Sequence, residues 1–323
     1  MRYFLTGATG FLGSVVARQL RAQGHQINAV VRDSNKAVEL KKLGTHLFPG
    51  DVTDKESMRT AMQGADGVYH IAGWYKIGAH QNRDQGEKVN VQGSRNVFEL
   101  MKELKIPKGV YTSTLAVNSD THGKLVNEAY HFSGKHISEY DRTKAAAHDW
   151  ANNFIADGLP LIIVMPGLIY GPGDTSTVRT NIIDFLKGKL PLLPTRTAMC
   201  WAHVEDVAQG HILAMEKGRL GETYIIAGEY ETLQDAFRIA SQITGKHAPA
   251  SIPYQILSAM AFMARPLDAL LPETYTSEGL RVIAGTTYIG DNNKAKRELE
   301  YKPRSFRQGW EETIRHEMSL LGR

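Results

Sequence analysis

The chain has one cysteine, Cys200, in 323 residues. A disulfide needs two, so none forms within the chain, and a cysteine-rich zinc site is excluded with it. With no histidine or CxxC partner beside it, Cys200 reads as a small buried apolar residue rather than a nucleophile. The twelve histidines are scattered. No HExxH or paired His–carboxylate spacing occurs among them, so no metal site is expected. No apolar run reaches the roughly 18 residues of a membrane-spanning helix. The opening residues MRYFLTG lack the apolar core of a signal peptide. Thirty-eight Lys and Arg stand against 34 Asp and Glu, for a net charge of +4. No basic block is interleaved with aromatics, so nucleic acid is not an expected partner. Repeats and low-complexity tracts are missing too. What is present is 42% hydrophobic and 22% charged, a globular composition that excludes disorder, collagen and coiled-coil rods. The expectation is a soluble, cytoplasmic protein with a sizeable core, of about two domains at ~150 residues each.

The first 170 residues alternate short apolar runs with longer amphipathic ones. Strands are expected at Tyr3–Thr6, Ile27–Val31, Thr45–Phe48, Val68–Ile71, Val110–Thr112 and Leu161–Met165. Helices are expected at Phe11–Gln23, Asn35–Leu43, Lys55–Met62, Val89–Leu104 and Glu139–Ile155. Such alternation builds a doubly wound parallel α/β sheet with helices on both faces. The continuous apolar run LIIVM fits a strand buried on both sides. After Pro166 the regularity decays, and Asp206–Lys217 with Glu222–Ala227 adds one more helix–strand step. From Thr232 onward the pattern is mostly helical. This predicts a dinucleotide-binding domain over 1–170, completed by about 200–228 and 287–292. A smaller substrate-binding lobe takes 171–199, 229–286 and 293–323. The Met-rich stretch Ile252–Ala264 is too short to span a bilayer. The favoured reading is a helix packed on the smaller lobe; the alternative is a membrane-facing or lid helix.

Gly7, Thr9, Gly10, Phe11, Leu12 and Gly13 form a GxxGxxG loop between the first strand and the first helix. Glycine lets the backbone approach a pyrophosphate, and Gly13 lets helix and strand pack closely. The helix amino terminus offers N–H groups and positive dipole to the phosphates. The second strand ends in valine, followed by Arg32 and Asp33. A carboxylate there binds the ribose 2′-OH of NAD, and an arginine holds the 2′-phosphate of NADP. Arg32 favours NADP(H), while Asp33 keeps NAD(H) possible.

Tyr140 and Lys144 form a YxxxK pattern, which puts both on one helical face. A free tyrosine titrates near ~10, and a neighbouring cation favours the phenolate. The pair could therefore exchange a proton with a substrate oxygen. Upstream, Thr112, Ser113 and Thr114 stand at the carboxyl end of an expected strand, where open α/β sheets place ligands.

Together these residues resemble the extended short-chain dehydrogenase/reductase superfamily, its NAD(P)-dependent epimerase/dehydratase group. More of that group's motifs recur in order: Gly50-Asp51-Val52, His70-Ile71-Ala72-Gly73, Asn90–Val97, Pro166–Gly173, His203–Ala208, and Asn293–Leu299 with Tyr301-Lys302-Pro303. The resemblance implies a Rossmann domain with a helical substrate lobe. It makes Tyr140 the acid–base residue and a cofactor contact, Lys144 its partner and a ribose ligand, and Thr114 the catalytic hydroxyl. It places Asp51 and Val52 at the adenine, with Ala72, Gly73, Ser113 and Pro166 along the cofactor. Arg32-Asp33 resembles the VRD of dihydroflavonol reductase-like members.

Departures from the group narrow the reaction. Thr114-Leu115-Ala116 lacks the two carboxylates of the nucleotide-sugar dehydratases. Met199 stands where epimerases often carry a diphosphate-binding arginine, and Arg281 aligns only loosely with the second. Trp74, Tyr75, Trp201 and Tyr254 suit an apolar or aromatic carbonyl substrate. The leading expectation is an NADP(H)-dependent reductase or dehydrogenase of a small carbonyl or secondary alcohol. A sugar or nucleotide-sugar epimerase with tightly held NAD, and a non-catalytic NADPH sensor, are the alternatives. The helices Val89–Leu104 and Glu139–Ile155 correspond to those that pair in family dimers, so a homodimer is possible.

Overall fold

The computed structural model describes residues 1–76, 83–268, 270–271 and 276–322. Its strands, in chain order, are β1 Arg2–Thr6, β2 Gln26–Val31, β3 His46–Pro49, β4 Gly67–His70, β5 Gly109–Thr112, β6 Leu161–Pro166 and β7 Leu168–Tyr170. Then follow β8 Leu192–Pro194, β9 Ala198–His203, β10 Thr223–Ile226, β11 Tyr230–Thr232, β12 Ala250–Ile252 and β13 Thr287–Tyr288. The helices are α1 Phe11–Ala22, α2 Val38–Lys42, α3 Lys55–Met62, α4 Arg83–Gly86, α5 Gly93–Glu103, α6 Glu139–Ala156 and α7 Thr177–Leu186. They continue with α8 Val204–Lys217, α9 Leu233–Thr244, α10 Tyr254–Ala264, α11 Ser277–Ile283, α12 Asn293–Glu298 and α13 Phe306–Leu320.

Seven strands form one parallel sheet in the order β10-β6-β5-β4-β1-β2-β3. The chain runs outward from β1 to β3, then returns to the other side of β1 with β4. That reversal is a topological switch point, and ligands of open α/β sheets bind outside the carboxyl ends of the strands there. Successive strand residues feed opposite faces: Leu5, Val31, Tyr69 and Ile162 enter one core, while Phe4, Val30, Val68 and Ile163 enter the other. β6 is buried along its whole length, as a strand covered on both sides must be.

The smaller lobe is built on β9, flanked by β7, β11 and β13. An aromatic core of Tyr170, Trp201, Phe237, Phe306 and Trp310 holds it. Each fully buried side chain of that size contributes about 1.5–3 kcal/mol relative to exposure. α10 packs on α11 through Leu257, Ala261, Ala264 and Leu280.

Two expected helices are broken. Asn35–Leu43 is a 3₁₀ turn, Ser34–Lys36, followed by the short α2. The Asp33 carboxylate accepts the Asn35 N–H at 2.9 Å and caps the turn. Val89–Leu104 begins as a π-helical stretch, Glu87–Gln92, before α5. There the Asn90 carbonyl accepts from the Ser94 hydroxyl at 2.6 Å, and the Asn90 side chain is drawn away to Trp74.

Candidate active site

A continuous cavity of about 570 Å³ runs along the carboxyl ends of the strands. Gly7, Thr9, Gly10, Phe11, Leu12 and Gly13 line one end of it. Gly7 has a φ of 72° and lies so close to the loop after β4 that a Cβ would stand 2.7 Å from the Ala72 nitrogen. A Cβ on Gly13 would stand 2.1 Å from the Gly7 carbonyl oxygen. Gly10 is the N-cap of α1, and no side chain caps it. The first-turn N–H groups of α1 are thus left for an anion.

Arg32, Asp51 and Val52 line the cavity near the end of β2. The Arg32 side chain is 83% exposed, with Nε 3.9 Å from an Asp51 oxygen. Asp51 is also held by Thr53, whose N–H and hydroxyl both donate to Oδ1 at 2.8 Å. Asp33, spent on its cap, is not among the described residues lining the cavity.

At the carboxyl end of β5, Thr112, Ser113 and Thr114 line the cavity beside Tyr140 and Lys144 of α6. The Thr114 hydroxyl accepts the Ala116 N–H at 3.2 Å, and Thr114 and Tyr140 line the cavity together. Spacing alone pairs Lys144 with Tyr140, but the structure directs the ammonium elsewhere. Lys144 Nζ donates to the Thr112 carbonyl at 2.8 Å and to the Tyr111 Oη at 3.3 Å. Burial pushes its pKa down to about 7. The Tyr140 phenol is held above its ordinary range, by burial first, then by Tyr75, with the Thr114 side chain pulling the other way. No cation offsets that burial, so the phenol keeps its proton. Ser113 is bound to His148 Nδ1 at 2.8 Å.

A buried relay ties the loop to α6. Thr6 Oγ1 accepts the N–H groups of Ile71 and Ala72, both at 3.1 Å. Its proton therefore goes to His70 Nδ1 at 2.8 Å, which leaves Nε2–H to donate to Ser94 Oγ at 2.9 Å. Ser94 passes its proton to the Asn90 carbonyl. The Asn90 amide clamps Trp74, accepting from its N–H at 2.7 Å and donating to its carbonyl at 3.0 Å, and reaches Thr143. Burial, with the Lys144 charge second, pushes His70 down to about 3. It serves as a neutral strut with a fixed tautomer.

Ala72, Gly73, Trp74, Tyr75 and Pro166 line the cavity, and the rings of Tyr75 and Tyr140 meet edge-on at 4.8 Å. Trp201, expected at the substrate, is buried in the lobe core instead. It packs on Tyr170, Phe306 and Trp310, and its Nε1–H is satisfied by the Glu231 carbonyl at 3.1 Å. Met199, two residues earlier, reaches the cavity. Tyr254 lies outside the lining and carries the Arg196 guanidinium over its ring. Arg281, the loosely aligned diphosphate candidate, also lies outside it and bonds Ser277. Cys200 is buried, its thiol between the Gly290 N–H and carbonyl.

Sequence reasoning missed Asp141, Tyr288 and Asp174, which line the cavity. Asp141 accepts from Ser138 Oγ at 2.7 Å and from Tyr288 Oη at 2.9 Å. Its position next to Tyr140 in the motif was a signal for it. Tyr288 lies 147 positions further on, in a segment without a pattern. Among the described residues lining the cavity, the cations are Arg32 and Lys144 alone. Among the described residues no cluster of His, Cys, Asp and Glu suits a metal ion, and no helix is long and apolar enough to cross a membrane.

The model of the NAD dependent epimerase/dehydratase family matches residues 3–227. A putative dihydroflavonol 4-reductase of Synechocystis is 30% identical, over 97% of this chain and 93% of its own. The sterol demethylase protein B of Methylococcus capsulatus is also 30% identical, over 97% of both. Among solved structures, the crystal structure of gox2253 matches with a TM-score of 0.86 at 31% identity, covering 99% of this chain and 98% of that one.

Proposed function

The chain belongs to the NAD dependent epimerase/dehydratase family, an enzyme of the extended short-chain dehydrogenase type, and from that premise we propose its reaction. It is an NADP(H)-dependent reductase or dehydrogenase acting on the carbonyl or secondary alcohol of a small apolar or aromatic substrate. The observation that carries this reading is one cavity with two different ends. The glycine loop and Arg32 line one; Thr114 and Tyr140 line the other, beside Trp74, Tyr75, Leu168 and Met199.

The cradle fits a dinucleotide. Backbone at Gly7 and Gly13 leaves no room for a side chain, and the uncapped start of α1 suits a pyrophosphate. Asp51 and Val52 would hold the adenosine end, Ala72, Gly73, Ser113 and Pro166 the remainder, and Lys144 a ribose. Arg32 has an exposed guanidinium for a 2′-phosphate, while Asp33 is engaged elsewhere. When bound, the nicotinamide supplies or takes up a hydride at the substrate carbon. Tyr140 holds the proton for the substrate oxygen. Thr114, on the same cavity wall, would hydrogen-bond the same oxygen. Among the described residues, none that lines the substrate end has a guanidinium to pair with a diphosphate, which disfavours a nucleotide-sugar substrate. The relatives named for a dihydroflavonol and a sterol fit an apolar pocket.

The test is NADPH-dependent reduction of a panel of aryl and alicyclic ketones, with Tyr140→Phe alongside. The wild type should turn over at least part of the panel. The variant should lose roughly 10²–10⁴-fold in kcat, the usual contribution of a general acid, and bind NADPH within about twofold of wild type, since the glycine loop, Arg32 and Lys144 are unchanged. Equal loss of binding and turnover would remove Tyr140 from its role. NAD that stays bound through purification, with no ketone reduced, would favour epimerisation.

A further inference from the structure

α10 is apolar nearly all round, yet only one side of it is covered. Leu257, Ala261 and Ala264 face α11. Ile256, Met260 and Met263, at helical spacing, form a stripe on the outside, with Phe262 on its flank. Phe262 is 68% exposed, Met263 65% and Ile256 50%. Just beyond the helix Leu267 and Leu270 are exposed as well, at 49% and 83%. Scattered apolar residues on a surface are ordinary; a contiguous run of this size marks an interaction face.

Charge decides the partner. Residues 245–267 contain no Asp or Glu, but include Lys246, His247 and Arg265; the carboxylate that follows, Asp268, is held by the N–H and hydroxyl of Ser277, both at 2.6 Å. The Arg265 guanidinium sits over the Phe262 ring at 5.2 Å, within the patch itself. A second copy of this chain docked two-fold on the patch would bring Arg265 against its own equivalent. An anionic lipid surface neutralises the same charge and accepts the apolar side chains at the headgroup boundary. α10 also packs on α11, whose Val282 lines the cavity, so the helix that bears the patch is one element removed from that wall.

We propose that the outer face of α10, with Leu267 and Leu270, docks on an anionic bilayer surface. The face lies in the interface and does not span it. The proposal is independent of the reaction assigned above.

Flotation of the full-length protein with vesicles tests it. One set is pure phosphatidylcholine, the other three parts phosphatidylcholine to one of phosphatidylglycerol. NADPH binding and gel filtration are measured on the same samples. The protein should float with the anionic vesicles, less with the neutral ones, and less in high salt. Phe262→Glu/Met263→Glu should reduce flotation about tenfold or more, by losing apolar insertion and gaining like charge, with NADPH affinity unchanged. Failure to float with either vesicle overturns the proposal. So does a wild-type dimer that the double variant splits, because the patch is then a seam between copies. If the double variant fails to bind NADPH, Leu270→Glu, outside the helix, is read in its place; full flotation of that variant also overturns the proposal.

Discussion

Asp141 is a buried carboxyl beside the residue proposed to move the proton. Burial pushes its pKa up to about 7, against the hydrogen bonds from Ser138 and Tyr288 that favour the charged form. A free aspartate titrates near ~3.9. Between those values the folded state keeps a proton that the unfolded chain releases. Its effect on stability is therefore most favourable at the acid end and declines as pH rises to about 7. A gap of this size is worth on the order of a few kcal/mol. Asp141→Asn cannot ionise, and its carbonyl oxygen still accepts a hydroxyl. Relative to wild type, its Tm should rise between pH 5 and pH 8, as thermal melts at several pH values would show. A constant difference across that range would mean that Asp141 is already ionised at pH 5. The charge of Asp141 is also one of the causes that raise Tyr140. The same variant should therefore move the acidic limb of alcohol oxidation to lower pH, where the phenolate is the base.

At the scale of elements, the join between β1 and α1 tolerates least. The Gly7 carbonyl blocks a side chain at Gly13 from one side, and the Ala72 backbone blocks one at Gly7 from the other. Neither obstacle is the end of a flexible side chain. Gly13→Ala should therefore lower Tm and weaken NADPH binding more than tenfold, as the loop is forced off its position under the phosphates. Gly24 provides the contrast: its φ is 81°, but nothing lies within 4 Å of an added Cβ. Gly24→Ala should cost about 1 kcal/mol of backbone strain and leave NADPH affinity unchanged. Titration calorimetry and melting of both variants separate a functional glycine from a merely left-handed one. These glycines were legible in the sequence because their spacing repeats a mechanical requirement. So were the strands, whose apolar runs report burial on two faces. The break in the helix expected at Asn35–Leu43 was not, since it depends on which N–H the Asp33 carboxylate caps. Nor was the π-helical start of α5, which rests on a tertiary clamp between Asn90 and Trp74. Trp201 was misplaced for the same kind of reason: composition says that an indole is apolar, but only its packing partners say which core it fills.

For the whole molecule, the cavity is a joint between regions far apart in the chain. Its walls come from residues as distant as Gly7 and Tyr288, so a ligand that fills it binds only the assembled fold. Ligand at 100 times its Kd then adds about 2.7 kcal/mol of stability by mass action. This makes thermal shift a reading of cofactor choice that needs no substrate. If Arg32 recognises the 2′-phosphate, equal concentrations of NADPH and NADH should raise Tm unequally, with NADPH the larger. Arg32→Ala should bring the NADPH shift down to that of NADH. The unliganded protein should melt within about 1 °C of wild type, because the exposed Arg32–Asp51 pair is worth about 0–1 kcal/mol. Equal shifts in the wild type would move recognition to the backbone or to Asp33, and an NADPH shift that survives the substitution would move it to other donors than Arg32. Recognition by Asp33 would also require it to leave its cap on Asn35, which the melting of the unliganded protein would not register but a structure with NADH bound would.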